Sequence, residues 1–112
     1  MSDIHGYHAH VYFDQTSLDS AIKVCRAAGK EFELTVGHFH EQPVGPHPCW
    51  SCQLSFAPQQ FDEVMAWLAL NRQGLTVFIH PNTGDHYKDH TDHAIWMGEV
   101  KSLNLSVLKA SG

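Results

Sequence analysis

The chain is poor in positive charge. Seven Lys plus Arg, none in a run, stand against twelve Asp plus Glu in 112 residues, for a formal net charge of -5. Nucleic acid and anionic membrane surfaces are therefore excluded as main partners. No apolar stretch approaches the length of a membrane span, and Met1-Ser2-Asp3-Ile4-His5 is neither cationic nor apolar as a secretory leader would be. The expected location is the cytoplasm. Cysteine is scarce and odd in number, three in all, which argues against a disulfide framework. Cys49-Trp50-Ser51-Cys52 has redox-motif spacing, but it follows Pro48 inside a strand-like run instead of opening a helix. With 43% hydrophobic residues, a chain of this length builds one core, so residues 1-112 are read as a single domain.

What the chain has in excess is histidine. Ten are present, grouped as His5/His8/His10, His38/His40/His47, His80 and His86/His90/His93. Imidazole both ligates transition metals and moves protons near neutral pH. Any one of these residues taken alone is an ordinary surface or core histidine; convergence of several on one surface would be a site.

Changes of hydrophobic period give the architecture. Residues 4–13 alternate with period two and read as a strand, with His8, His10 and Tyr12 on one face and Ala9, Val11 and Phe13 on the other. Thr16 and Asp19 resemble a capping box, and Leu18, Ala21, Ile22, Cys25 and Ala28 recur at helical spacing up to Gly29, a natural stop. Phe32 to His40 reads as a second strand, Glu41 to Pro48 as an irregular loop, and Trp50 to Phe56 as a third strand. Pro58 suits a first helical turn, Phe61, Val64, Met65 and Leu68 form an apolar stripe ending before Gly74, and Leu75 to His80 is a fourth strand. Leu103 to Leu108 alternates again and is a candidate fifth strand.

The order βαββαβ is the ferredoxin-like α+β pattern, an antiparallel sheet with two helices on one face. Its other face would carry His8, His10, Gln53 and His80, with Tyr12 and Phe78. His10 and His80, far apart in sequence, are expected to meet there. Simple alternation puts His38 and His40 with Leu34 and Val36 on the helix side, unless Gly37 carries a bulge that reverses the register. A bare face this aromatic also predicts a homodimer.

Four stretches carry a resemblance to a known family: His8-Ala9-His10-Val11-Tyr12-Phe13; Gly37-His38-Phe39-His40 with Pro43-Val44-Gly45-Pro46-His47-Pro48; His80-Pro81-Asn82-Thr83-Gly84-Asp85; and Asp89-His90-Thr91 with Ala94-Ile95-Trp96-Met97-Gly98. Together they resemble the DOPA 4,5-dioxygenase family over essentially the whole chain. The resemblance implies a small, dimeric, ferredoxin-like protein with an extradiol ring-cleaving activity, known for fungal members acting on L-DOPA. It transfers the site more safely than the substrate.

Extradiol cleavage of a catechol by dioxygen uses a metal, usually Fe(II), that must keep positions open for both, so the protein occupies about three sites. The sheet face offers imidazoles and no acid; the nearby carboxylates Glu41, Asp85, Asp89 and Glu99 lie in loops or flanking segments. A three-histidine site and a two-histidine, one-carboxylate site both stay open. The preferred metal ligands are His10, His40 and His80, with His8, His47 and His90 as acid/base candidates; Fe(II) is the expected ion, with Zn or Ni as substitutes. Two other readings compete: a non-oxygenase enzyme using the histidines for proton transfer, and a metal- or ligand-binding dimer without turnover.

Overall fold

Alternation in the first strand decides how the sheet is dressed. The computed structural model describes residues 3–109. Strand β1 (Gly6–Phe13) buries Ala9, Val11 and Phe13 against the helices, while His8, His10 and Tyr12 take the opposite face. Helix α1 (Leu18–Phe32), strand β2 (Thr35–His40), strand β3 (Trp50–Phe56), helix α2 (Phe61–Asn71) and strand β4 (Val77–Asn82) complete the βαββαβ order. A short 3-10 turn at Pro58–Gln60 leads into α2. Three further elements follow: α3 (His86–Asp89), β5 (Ile95–Met97) and α4 (Ser106–Lys109). The antiparallel sheet runs β2-β3-β1-β4-β5, and its first four strands have the ferredoxin-like order.

The core lies between the sheet and the two long helices. Val24, Cys25 and Ala28 of α1 and Val64 and Leu68 of α2 pack on Val11, Cys52, Leu54, Val77 and Ile79. Each large aliphatic side chain buried there contributes about 1.5–3 kcal/mol relative to exposure. Hydrophobic burial thus fixes the parity of β1, β3 and β4, and with it the face on which the histidines stand.

Three local expectations are corrected. Helix α1 is not capped by Thr16; Asp14 Oδ1 accepts from the backbone N–H and hydroxyl of both Thr16 and Ser17 and shapes the turn before the helix. Nor does it stop at Gly29, but continues to Phe32 and closes at Glu33 with φ 52°. Gly29 marks a close approach instead, since a Cβ there would sit 2.8 Å from Val36 Cγ2 on β2. Gly29→Ala gains about 1 kcal/mol of helix propensity and loses about 1–3 kcal/mol to overpacking against a stiff β-branched neighbour. The expected outcome is a lower melting temperature, by a few degrees; an unchanged or higher value in a thermal scan would contradict this packing. Finally, the fifth strand is Ile95–Met97, paired with β4, whereas residues 103–108 lie partly in α4 and outside the sheet.

The bulge at Gly37 is present. Val36 pairs with Leu54 but Phe39 pairs with Cys52, so β2 carries one extra residue and its alternation reverses. Phe39 therefore packs on the core and His40 joins Ser51 and Tyr12 in one row on the other face. That face is not bare. Tyr12 is 2% exposed and Phe78 0%, because the loop carrying His47 and the segment carrying His90 and Trp96 fold over them. The ground on which a dimer was expected is thereby removed.

Candidate active site

Strands β1 and β4 are neighbours, and their register aligns His8 with His80 and His10 with Phe78. Three imidazoles consequently converge. Ring nitrogens of His8, His10 and His80 all lie within 4.8 Å of one another, and His10 Nε2 is 3.1 Å from His80 Nε2. His10 and His80 are 5% and 2% exposed, while His8 is half-buried. This is the meeting of His10 and His80 that strand parity foretells.

Around the three stand two more histidines from the covering segments. His47 comes from the proline-bounded loop between β2 and β3, with its ring centroid 4.1 Å from that of His10 and its Nδ1 2.8 Å from the Tyr12 hydroxyl. His90 caps α3 and lies with its ring centroid 4.1 Å from that of His80. Helix α3 is itself started by Asp85, whose side chain accepts from Lys88 N–H. The buried Asp89 accepts from the backbone N–H and hydroxyl of Thr83 and pairs with His93 Nδ1 at 2.9 Å. Asp89 thus ties the turn after β4 to α3 and sets His90 against His80.

Backbone carbonyls decide where two of the protons are. A carbonyl only accepts, so His80 Nδ1–H donates to Pro81 O at 2.9 Å and His90 Nδ1–H donates to His86 O at 2.7 Å. Both rings then present a bare Nε2 lone pair. For His80 that lone pair faces His10, in the arrangement by which outer hydrogen bonds orient metal-binding imidazoles.

Burial and crowding keep the cluster neutral. Burial pushes His10 well below the usual histidine range, with further lowering by His47, His80, His8 and His90. His47 is lowered to about 4, mainly by burial and then by His90, His40 and His8. His80 also falls to about 4, chiefly by burial, although its bond to the Pro81 carbonyl works the other way. His8 and His90 are lowered too, again first by burial.

Each of these groups binds its proton less readily folded than unfolded, so between pH 6.5 and about 4 the unfolded chain holds more protons. The stability contributed by the neutral cluster is complete above pH 6.5 and is lost as pH falls through that window. A depression from 6.5 to about 4 corresponds to about 3 kcal/mol for a single group. Metal-free protein is therefore expected to lose several kcal/mol between about pH 7 and pH 4.5, read as a falling urea midpoint. An unchanged midpoint would contradict a neutral buried cluster.

The other candidates fall elsewhere. His40 is on the same face, but on the edge strand beside His38, with ring centroids 4.9 Å apart, and is outside the group of three. His8 stands where His40 was expected. His86 and His93 are exposed, as their polar segment suggests. No carboxylate joins the group among the described residues: Asp89 is committed to Thr83 and His93, Asp85 to α3, and Glu99 to Lys101 at 2.5 Å. Tyr12 and Phe78 are too deeply covered to stack on a ligand, whereas the half-buried Trp96, 4.6 Å from Phe78, lines a cavity of about 410 Å³ with His90, Thr91 and Lys101. The Tyr12–His47 bond and the Asp89 anchor were missed, because each joins a strand or turn to a segment whose path no periodicity describes.

Chemically, the arrangement is a set of neutral nitrogen donors with at least one bare lone pair, flanked by two imidazoles able to hold or move a proton. Comparisons with known proteins give the family. The Dopa 4,5-dioxygenase family pattern matches residues 7–107. An uncharacterized 21.2 kDa protein of Botryotinia fuckeliana is 38% identical, over 96% of this chain and 62% of its own length. The DOPA 4,5-dioxygenase of Amanita muscaria is 29% identical, over 96% of this chain and 51% of its own length. This chain thus spans half to about three fifths of these relatives. The crystal structure of a "putative dioxygenase" from Nostoc punctiforme superposes with a TM-score of 0.96 at 44% identity, covering 98% of this chain and 96% of that one. The chain belongs to the Dopa 4,5-dioxygenase family.

Proposed function

We propose that the protein is a metal-dependent extradiol dioxygenase that opens the ring of a catechol such as DOPA, with His8, His10 and His80 holding the ion. The observation that carries this reading is the 3.1 Å approach of His10 Nε2 to His80 Nε2. Two imidazoles on one ion at bond lengths of about 2.0–2.1 Å stand about 3 Å apart, so the pair is already spaced for a shared cation. The donor chemistry also fits, since neutral imidazole suits Fe, Zn and Ni alike; Fe(II) is the ion we assign for turnover. When bound, Fe(II) supplies the redox-active Lewis acid through which a catechol and dioxygen react.

The chain's own residues do the rest. With only three protein donors, the ion would keep coordination positions for a catechol and dioxygen. The bare Nε2 of His90 is a base placed beside His80 to take a phenolic proton, and His47 is the proton carrier on the side of His10. Burial under the His47 loop and the His90 segment keeps bulk water from His10 and His80. The name of the Amanita relative supports a DOPA-like catechol, and the family match supports dioxygenase chemistry.

The test is metal analysis of protein purified without added metal, then anaerobic Fe(II) loading and exposure to oxygen with a panel of catechols. One ion per chain and a yellow ring-opened semialdehyde are expected. Fe(II) binding without oxygen consumption on any catechol would leave a binding module; no metal and no oxygen dependence, with turnover of another substrate, would leave an acid/base enzyme.

A further inference from the structure

The two covering histidines differ in what holds Nδ1. His90 uses it to donate to a carbonyl, which leaves Nε2 bare. His47 has it 2.8 Å from the hydroxyl of Tyr12, a side chain only 2% exposed. A phenol this deeply covered must give its proton to an acceptor, because an unmet buried hydroxyl costs about 1–3 kcal/mol. His47 Nδ1 is the acceptor the structure provides. Were Nδ1 protonated instead, two donors would face each other or the phenolic proton would be stranded.

We propose that Tyr12 is a positioning residue for His47: its O–H donates to Nδ1 and holds the ring in the tautomer that carries its proton on Nε2. His47 and His90 then form a complementary pair in their neutral states, one presenting an N–H donor and the other a lone pair, on either side of the His10 and His80 rings. His47 thereby offers an N–H hydrogen bond to a substrate oxygen while staying neutral. Tyr12 touches no substrate; it acts through His47. The catalytic consequence rests on the dioxygenase reading, whereas the tautomer does not.

The experiment is 15N-detected NMR of the histidine rings in metal-free protein near neutral pH, on wild type and Tyr12→Phe, with circular dichroism to check folding. Wild type should show His47 Nδ1 unprotonated and shifted by an accepted hydrogen bond, with the proton on Nε2; Tyr12→Phe should lose that hydrogen-bond shift. A wild-type Nδ1 that carries the proton would overturn the proposal, and needs no variant to fold. In the Fe(II)-loaded enzyme, Tyr12→Phe is expected to lower kcat by about 10–100-fold with KM little changed and metal retained, the scale of losing an outer partner. In a His47→Gln background the same change should have almost no effect. An equal loss in both backgrounds would show that Tyr12 does not act through His47. A wild type inactive on every catechol but with the expected tautomer would sink the dioxygenase reading alone.

Discussion

Replacing His80 by alanine is expected to empty the metal site and abolish ring cleavage together. His80 is the donor whose orientation is most fully specified: Nδ1–H is given to Pro81 O, and Nε2 is directed at His10. Losing an outer partner of a metal ligand costs about 10–100-fold in affinity, and losing the ligand itself leaves two donors out of three. His10→Ala and His8→Ala should behave alike. Folding should survive, because the core of Val11, Leu54, Val77 and Ile79 is on the other side of the sheet. His40→Ala is the contrast, and should keep the ion and the activity. Metal stoichiometry, circular dichroism and single-turnover rate on the four variants check this; full metal occupancy in His80→Ala would overturn the assignment of ligands.

His47→Ala should separate binding from chemistry. Its ring belongs to a loop over the site and is not one of the three converging donors, so the ion should remain. The rate should fall by about 10² to 10⁴, the usual range for a lost general acid or base. His90→Ala should fall within the same range for the complementary reason, loss of a lone pair instead of an N–H. Loss of metal with His47→Ala would move that residue into the coordination sphere.

Much of this site is legible in the sequence, because burial of Val11, Leu54, Val77 and Ile79 sets the parity that groups His8, His10 and His80. The Gly37 bulge was legible as a conflict between the alternation of β2 and the placement of His40. Parity alone does not separate His8 from His40 as the neighbour of His10 and His80; strand order does. In the order β2-β3-β1-β4, His40 is three strand spacings, roughly 14 Å, from the strand of His80, while His8 is directly opposite it. Parity assigns a face; only strand order assigns distance along it. Gly29 misled for a related reason, since a glycine needed for close helix–sheet approach looks in sequence like a helix stop. The segment from Asp85 to Leu108 was least legible: its elements are three or four residues long, and side-chain bonds such as Asp85 to Lys88 N–H and Asp89 to Thr83 take the place of a periodic pattern.

The most direct test of the account is X-ray absorption at the iron edge of anaerobically Fe(II)-loaded protein, beside His80→Ala loaded in the same way. A shell containing three histidine imidazoles and no protein carboxylate is expected in wild type, and no site-bound iron in the variant. A wild-type shell with a carboxylate or fewer than three imidazoles, or the same shell in both proteins, would contradict it.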